Sequence, residues 1–338
     1  MNNDPESFVS PVRHLPFAIR HSKRRAVIDI GTNSVKLLVA DVSQDAVEPV
    51  WEGSEQTRLG RGFYEDHLLR PEAIADTAKA VAHFASFANE QGAGSIRIVA
   101  TSAARDAANA TELLDAVRSA CGHGVEVING EQEADWAFQG VLTDASLRDQ
   151  PALILDVGGG STEFILGDAG QSMFRQSFKL GTVRLLESTP LSDPPTAAEF
   201  AAVRAQLRSF LDREVRPQLA AHWDVNRLMK LVLVGTGGTT SILARLELRL
   251  PDYDRERIES ACFTAERVRW HAERLWQMPL ANRRELPGLP ANRADVILFG
   301  VAIYEAVMET FGIATLRVST RGLRFAAVRP PKELRVEG

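Results

Sequence analysis

Apolar and polar positions alternate in short runs along the first half of the chain, between longer stretches with helical spacing. Strand-like runs cover 24–30, 35–42, 95–100 and 124–128. Between them, PEAIADTAKAVAHFASFANEQG begins with Pro71, repeats apolar residues at helical spacing and ends with Gly92. Proline at the start and glycine after the end are typical of a helix. This alternation of strands and helices predicts an α/β domain.

The second half repeats the alternation after a predicted helix in NGEQEADWAFQGVLTDA. Strands are predicted in ALILDV, TEFILGD and SMFRQSFKLG, and a long helix in TAAEFAAVRAQLRSFLDREV. KLVLVGTGGTTSILARL predicts a strand, a glycine-rich turn and a helix. A helix over 293–311 and a strand over 315–319 complete the pattern.

One segment of the chain is repeated. Asp29 aligns with Asp156 when the sequence is shifted by 127 residues (156 − 29). The same shift aligns other polar and glycine positions: Gly31 with Gly158, Ser34 with Ser161, and Asp41 with Asp168. A strand, turn and strand repeated in register predict two similar domains whose turns face each other across a cleft.

Each repeated hairpin places glycines and hydroxyl groups directly after an apolar strand. Glycine lets backbone N–H groups converge on an anion without hindrance from Cβ, which predicts a phosphate site. The residues expected to bind phosphate are Gly31, Thr32, Asn33 and Ser34 in the first turn and Gly158, Gly159, Gly160, Ser161 and Thr162 in the second. The strands end at Asp29 and Asp156, whose carboxylates suit a hard cation such as Mg²⁺. The alternative is two structural turns that need glycine for their backbone angles.

A third glycine-rich turn, GTGGTT at 235–240, follows a strand and opens a helix. Gly237 and Gly238 could offer helix N-terminal amides to a phosphate. The turn lacks the Gly-Lys-Ser/Thr of a Walker motif, and Thr240 stands where a complete GxGxxG has its last glycine. Taken alone, this turn could equally serve close packing of the backbone. Because two other anion-binding turns are predicted, we expect it to be a third anion contact.

Two glutamates are candidates for acid/base chemistry. Glu133 falls in the first turn of a predicted helix, and Glu163 follows the second glycine turn. Hydrolysis of a phosphoanhydride needs a base that takes a proton from water. Arg105, Lys36 and Arg58 lie at or beyond predicted strand ends and could contact a polyanion. The alternatives are a favourable helix-dipole interaction for Glu133, a solvated strand position for Glu163 and surface charges for the cations.

Composition excludes several classes of protein. With 338 residues, 45% of them hydrophobic, the chain is long enough for two domains. A net charge of −5 argues against a nucleic-acid or anionic-membrane partner, and no apolar run approaches a membrane span. The presence of only two cysteines favours a reducing compartment such as the cytoplasm. Residues 1–24 are basic, lack the apolar core of a secretory signal and predict a mobile tail.

In combination, these motifs resemble the exopolyphosphatase and guanosine pentaphosphate phosphohydrolase family, within the superfamily of actin, sugar kinases and heat-shock chaperone ATPases. The resemblance extends from about residue 25 over nearly the whole chain. Its segments are AVIDIGTNSVKLLVADV, VATSAARDAANA, VINGEQEADWAFQGV, ILDVGGGSTEF, VLVGTGGTT and LPANRADVILFGVAIYEAVM. It implies two actin-like (ribonuclease H-like) domains, each a mixed sheet flanked by helices, with the active site in the cleft between them.

The resemblance also implies domain limits and roles. The first domain would cover 25–130 and be joined by the C-terminal segment, about 325–338; the second would cover 131–324. Glu133 would activate water, while Asp156 and Glu163, with Asp29, would hold Mg²⁺. Gly158, Gly159, Gly160 and Ser161 would cradle the terminal phosphate, opposite Asn33, Ser34 and Arg105. Members of the family commonly form homodimers, and this chain resembles the short two-domain form.

The chain departs from the family's pattern in two places. Gln132 stands where an acidic residue usually precedes the catalytic glutamate, and Phe325 and Ala326 replace a late Glu-Gly pair. The expected activity is Mg²⁺-dependent hydrolysis of the terminal phosphoanhydride of inorganic polyphosphate. The alternatives are hydrolysis of the alarmone pppGpp, a regulator that binds an alarmone or nucleotide without turnover, and an ATP-dependent sugar or acetate kinase.

Overall fold

Two mixed sheets form the framework of the protein. The computed structural model describes residues 23–44, 46–222 and 231–330. The first sheet has the order β3-β2-β1-β4-β5, and its strands are β1 (Lys23–Ile30), β2 (Val35–Val42), β3 (Val47–Glu55), β4 (Ile96–Ala100) and β5 (Val125–Val127). The strands β1, β2 and β3 pair antiparallel, whereas β4 and β5 run parallel to β1. The edge strand β3 was not predicted from the sequence.

The helices of the first half are α1 (Pro71–Glu90), α2 (Ser102–Asp106) and α3 (Ala110–Cys121). Helices α1 and α3 cover one face of the first sheet, where Val81 and Leu113 pack in one cluster with Ile28 and Leu37. Both sheet residues are fully buried, so this apolar contact fixes the strand that leads into the first glycine turn.

The second sheet has the order β10-β11-β9-β6-β7-β8. Its strands are β6 (Ala152–Val157), β7 (Thr162–Asp168), β8 (Gln171–Phe178), β9 (Val232–Thr236), β10 (Cys262–Thr264) and β11 (Thr315–Val318). Strands β6, β7 and β8 form an antiparallel meander, while β9 runs parallel to β6. The order β8-β7-β6-β9 therefore repeats the order β3-β2-β1-β4 of the first sheet.

The later helices are α4 (Gly130–Val141), α5 (Ala145–Arg148), α6 (Thr182–Ser188), α7 (Ala197–Phe210), α8 (Arg216–Ala220), α9 (Gly238–Leu248), α10 (Arg255–Glu259), α11 (Ala265–Trp276), α12 (Leu280–Arg284), α13 (Ile297–Phe311) and α14 (Leu323–Ala327). Two boundaries differ from the prediction. The helix expected from residue 293 begins at Ile297, after a separate 3₁₀ turn at Ala291–Arg293. The long helix expected to end at 215 passes through a π turn at Leu211–Val215 into α8. None of the helices in the described ranges is long and apolar enough to cross a membrane.

The sequence repeat corresponds to a structural one. In the first hairpin the Gly31 N–H donates to the Ser34 carbonyl over 3.0 Å, and in the second the Gly158 N–H donates to the Ser161 carbonyl over 2.9 Å. The strand register repeats as well: Asp29 faces Lys36 in the first hairpin. In the second hairpin, Asp156 faces Glu163.

The short helix α14 returns to the first sheet. Phe325 is fully buried and packs in one apolar cluster with Val27 and Leu38 of that sheet. Arg324 of the same helix donates to the Leu37 carbonyl over 2.9 Å. Phe325 therefore serves as a core residue. The domain limits stay a prediction, and residues 1–22 and 331–338, which include most of the predicted tail, lie outside the described residues.

Candidate active site

A pocket is lined by both repeated hairpins and by the start of helices α4 and α9. It brings together most of the predicted site residues: Asp29, Gly31, Thr32, Asn33, Ser34, Glu133, Asp156, Gly158, Gly159, Gly160, Ser161, Glu163 and Gly238. The two aspartates end β1 and β6, and the turns follow them. The two sheets share one strand order, and the turn that follows each aspartate lines the same pocket.

Three predicted phosphate-binding residues do not line this pocket. Arg105 donates a 2.9 Å hydrogen bond to Glu133, so it contacts the site through that carboxylate. The Thr162 hydroxyl donates to the Leu180 carbonyl over 2.6 Å in the core. Gly237 has φ +90°, and a Cβ there would lie 2.5 Å from Asp156 Oδ1. Position 237 therefore requires glycine because it packs closely against Asp156.

The two turns approach each other closely at Gly159 and Gly160. A Cβ on Gly159 would lie 3.0 Å from Thr32 Cβ, and one on Gly160 would lie 2.8 Å from Thr32 Oγ1. Side chains at either position would fill the space between the walls. The glycines thus leave room beside backbone N–H groups, as an anion site requires.

Glu133 lies in the first turn of α4. The Asn129 side chain caps this helix by accepting from the Gln132 N–H over 2.8 Å. Only 6% of Glu133 is exposed. Burial raises its pKa to about 7, although the nearby Arg105 guanidinium opposes the shift. A carboxylate that titrates near neutral pH is suited to accept a proton from water.

Glu163 is the second buried glutamate. It accepts a 2.7 Å hydrogen bond from the Ser177 hydroxyl. Burial raises its pKa well above the ordinary value, and the neighbouring carboxylates of Glu133 and Asp156 add to the shift. The sequence alternative of a solvated strand position is wrong, since only 2% of Glu163 is exposed.

Three carboxylates are predicted to hold Mg²⁺: those of Asp29, Asp156 and Glu163. Burial raises the pKa of both aspartates, and Asp29 Oδ1 is buried without a hydrogen-bond partner in the described residues. Within these ranges, no three or more His, Cys, Asp or Glu side chains are grouped so as to hold a metal ion. Mg²⁺ usually keeps several waters and takes one or two carboxylates together with substrate phosphates. The unpaired Asp29 oxygen fits such an open site.

Several cations surround the carboxylates. Lys36 lines the pocket, and burial lowers its pKa while Asp29 opposes the shift. Arg293 also lines the pocket, donates to Ser34 Oγ over 2.8 Å and has its pKa lowered to about 10 by burial. Arg293 was not predicted from the sequence as a site residue. Arg58, a candidate for polyanion contact, forms a 2.8 Å ion pair with Asp295 instead.

Further contacts join the two walls near the turns. The Gly62 N–H donates to the Glu187 carboxylate over 2.6 Å. Arg184 donates to the Gly160 carbonyl over 3.0 Å, and its guanidinium lies 4.3 Å from the centre of the Tyr64 ring. Sequence reasoning also missed the pocket-lining hydroxyl residues Thr101, Ser102, Thr182 and Thr239. Thr101, Ser102 and Thr239 lie within the segments VATSAARDAANA and GTGGTT, which could have marked them, whereas Thr182 lies outside every motif.

Comparison with known proteins decides the family. A model of the Ppx/GppA phosphatase family matches residues 38–326. The chain belongs to this family. Ppx/GppA membership confirms the resemblance drawn from the sequence and makes the protein a phosphatase-type hydrolase, as predicted.

The Ppx/GppA relatives include exopolyphosphatase 2 of Mycobacterium tuberculosis, which is 34% identical over 312 residues, 88% of this chain and 94% of that protein. The guanosine-5'-triphosphate,3'-diphosphate pyrophosphatase of Aeromonas hydrophila is 26% identical over 90% of this chain but only 59% of its own length.

Solved Ppx/GppA structures confirm the predicted fold class. The Aquifex aeolicus PPX-GPPA enzyme superposes with a TM-score of 0.73 at 30% identity, over 91% of this chain and 99% of that one. An exopolyphosphatase from Cytophaga hutchinsonii gives 0.80 at 26% identity, over 90% and 96% of the two chains.

Proposed function

We propose that this protein hydrolyses the terminal phosphoanhydride of inorganic polyphosphate in a Mg²⁺-dependent reaction and releases orthophosphate. The observation that carries the proposal is Glu133: a buried carboxylate whose pKa is raised to about 7 lines the same pocket as two glycine turns. This combination supplies a proton acceptor beside a place for a phosphate. The similarity to M. tuberculosis exopolyphosphatase 2, which covers nearly the whole of both chains, supports polyphosphate as the substrate class.

The chemistry follows from the placement of these groups. Glu133 takes a proton from water as the water oxygen bonds to the terminal phosphorus. The bridging P–O bond breaks, and its electron pair leaves with the shortened chain. The glycine turns offer N–H groups to the nonbridging oxygens, which carry the charge of the transferred phosphoryl group.

Asp156, Glu163 and Asp29 would hold Mg²⁺ in this proposal. The ion would neutralise phosphate charge and position the terminal group when bound. The buried oxygen of Asp29 that has no partner supports this assignment. Burial raises the pKa of Asp156 and of Glu163, and charge repulsion adds to both shifts: Asp29 raises the pKa of Asp156, and Asp156 raises that of Glu163.

Phosphate release from long-chain polyphosphate, tripolyphosphate, pppGpp and ATP tests the proposal. The assay compares wild type, Glu133→Gln and Glu131→Gln, with and without Mg²⁺. Glu131 is the matched control, since it lies two positions away with 71% of its side chain exposed. Loss of the base should reduce kcat by about 10²- to 10⁴-fold, while Glu131→Gln stays near wild type. If wild type releases no phosphate from any substrate, the proposed activity is wrong; if Glu133→Gln is fully active, the base is wrong.

Hydrolysis of pppGpp is the second candidate, favoured by the similarity to the A. hydrophila enzyme. A kcat/KM for pppGpp above that for polyphosphate would select it. A regulator that binds an alarmone without turnover is less compatible with the three carboxylates that line the pocket, the buried Glu133 and Glu163 and the half-buried Asp156. We further propose a cytoplasmic homodimer, which sedimentation of the purified protein and fractionation of the source cells would test.

A further inference from the structure

Ser177 lies on β8, the edge strand of the second sheet, which neighbours β7. Its backbone pairs with that of Glu163 in the antiparallel register of the two strands. Side chains of directly paired residues project from the same face of a sheet and lie close together. The Ser177 side chain therefore stands beside the Glu163 carboxylate, although Ser177 itself does not line the pocket.

The Ser177 hydroxyl donates a 2.7 Å hydrogen bond to Glu163 Oε1. Glu163 is almost fully buried, so water does not readily replace this donor. A glutamate side chain has several rotatable bonds, and a hydrogen bond to one of its oxygens restricts them. Hydrogen-bond partners of this kind orient the carboxylates that bind metal ions. Ser177 is thus placed to fix the direction of a carboxylate that lines the pocket.

The start of α4 contacts Ser177 from another side. A Cβ on Gly130, the first residue of that helix, would lie 2.7 Å from Ser177 Cβ. Glycine at this position therefore lets the helix start pack directly against β8. Glu133 lies in the same turn of α4, so Ser177 contacts the elements that carry both candidate glutamates.

The first half of the protein has a serine at the equivalent place. The 127-residue repeat matches Lys36 with Glu163 (163 − 36). Ser54 of β3 pairs with Lys36, just as Ser177 of β8 pairs with Glu163. Ser54 is exposed, and its side chain makes no hydrogen bond within the part of the chain that the structure describes. The strand topology alone therefore does not require a bonded serine here, and the bond accompanies the carboxylate.

We propose that Ser177 is a positioning residue, whose hydroxyl holds the Glu163 carboxylate in the orientation that binds Mg²⁺. This inference rests on the proposed Mg²⁺ site and extends it to β8, a strand that does not line the pocket. Without the hydroxyl, the carboxylate must be ordered each time the ion binds. Mg²⁺ affinity should then fall while the other residues of the pocket stay in place.

Calorimetric titration with Mg²⁺ alone tests the inference on wild type, Ser177→Ala and Ser54→Ala. Ser54→Ala is the matched control, since it removes the equivalent hydroxyl where no hydrogen bond is lost. Ser177→Ala should raise the dissociation constant by about 10- to 100-fold, and Ser54→Ala should leave it within about twofold of wild type. Equal affinity in Ser177→Ala and wild type overturns the inference alone. If wild type binds no Mg²⁺, the proposed metal site is wrong and the inference falls with it.

A double-mutant cycle separates positioning of Glu163 from a general loss of structure. In Glu163→Gln protein the Ser177 hydroxyl no longer faces a carboxylate. Adding Ser177→Ala should therefore change the remaining Mg²⁺ affinity by less than about twofold. An equal loss of affinity in both backgrounds would show that Ser177 acts through the fold, and would overturn the inference.

Steady-state kinetics give a further readout. In Ser177→Ala, the Mg²⁺ concentration for half-maximal rate should rise about tenfold. The kcat at saturating Mg²⁺ and the KM for polyphosphate should stay within about threefold of wild type, whereas a damaged fold would lower kcat at every Mg²⁺ concentration. If Ser177→Ala does not fold, Ser177→Cys replaces it, because a thiol of similar size is only a weak donor. An unchanged Mg²⁺ requirement overturns the inference.

Discussion

The guanidinium of Arg105 donates a 2.9 Å hydrogen bond to the carboxylate of Glu133. Burial raises the pKa of Glu133 to about 7, and the Arg105 charge is the largest effect that opposes this rise. The ionisation of the proposed base is therefore set near neutral pH by two opposing effects, desolvation and a cation. Arg105, expected from the sequence to bind phosphate directly, acts on the site at least in part through this contact.

The first prediction concerns the pH profile. A general base must be deprotonated, so kcat/KM should rise as pH increases through about 7 and level off above it. Arg105→Gln removes the charge that lowers the pKa of Glu133. The rising limb of the kcat/KM profile should therefore shift to higher pH by about one unit. Steady-state kinetics from pH 5.5 to 9 measure the shift. Arg118→Gln, on the exposed side of α3, is the control and should leave the limb in place; an unmoved limb in Arg105→Gln contradicts the prediction.

The second prediction concerns Mg²⁺ and stability. Burial raises the pKa of Asp29, Asp156, Glu133 and Glu163 in the folded chain. The folded state then binds these protons more tightly than the unfolded state, so their contribution to stability is present at low pH and is lost as pH rises through the raised pKa values, which for Glu133 is about 7. Mg²⁺ should offset this loss, and should raise Tm more at pH 8 than at pH 5.

The size of that effect follows from binding. At 100 times the dissociation constant, a ligand specific for the folded state adds about 2.7 kcal/mol to the free energy of unfolding, which corresponds to several degrees in Tm. Differential scanning calorimetry with and without Mg²⁺ measures it, and Asp156→Asn should reduce the shift at pH 8. A Tm gain that is equal at both pH values would count against a carboxylate site.

Much of the fold follows from the sequence because its signals are local. Strands β1, β2, β6 and β7 are apolar runs bounded by glycine turns. The internal repeat predicts that β6 pairs with β7 in the same way as β1 pairs with β2. Strand β3 was missed because Val47–Glu55 contains Pro49, Gly53 and four glutamate or serine positions, which weaken an alternating pattern. Its place at the sheet edge allows that composition.

The third prediction concerns the contact that holds the second glycine turn. The N–H groups of Thr182 and Val183 donate to the carbonyls of Gly158 and Gly159 over 3.0 and 2.8 Å. A methyl group on Gly181 would lie 2.6 Å from the carbonyl carbon of Gly160. Gly181→Ala should therefore displace the turn, cost about 1–3 kcal/mol of stability and lower kcat.

Chemical denaturation and the phosphate-release assay check this effect. Gly124→Ala is the matched control, since a methyl group there would meet nothing closer than an Arg118 side-chain nitrogen at 4.0 Å. If Gly181→Ala keeps the wild-type kcat, the turn tolerates displacement and the prediction is wrong.

The fourth prediction concerns packing between α4 and the segment that leads into α14. A methyl group on Gly140 would lie 2.7 Å from the carbonyl carbon of Gly322. Because backbone cannot move aside as a flexible side chain can, Gly140→Ala should cost about 1–3 kcal/mol or more. Thermal unfolding measures the loss, again against Gly124→Ala. Glu133 lies on the same helix, so activity should fall at temperatures where the fold is retained; an unchanged Tm would show that the two segments can separate.

Only part of the candidate site was predicted from the sequence, and there is a physical reason why the other site residues were missed. Asp29, Asp156 and Glu133 stand next to glycine or helix-start signals that a sequence displays. Arg293 reaches Ser34 across 259 residues of chain, and Thr162 turns its hydroxyl to Leu180. The local sequence pattern does not predict the orientation of either side chain, because long-range packing decides which way each one points.

The return of α14 to the first sheet has a consequence for how the protein is made. Phe325, which covers Val27 and Leu38, is translated 287 residues after Leu38 (325 − 38). We expect the nascent first half to expose part of its apolar face until the segment that contains Phe325 is synthesised. A premature stop before Leu323 would therefore leave both glycine turns and Glu133 translated and yet yield a chain prone to aggregation.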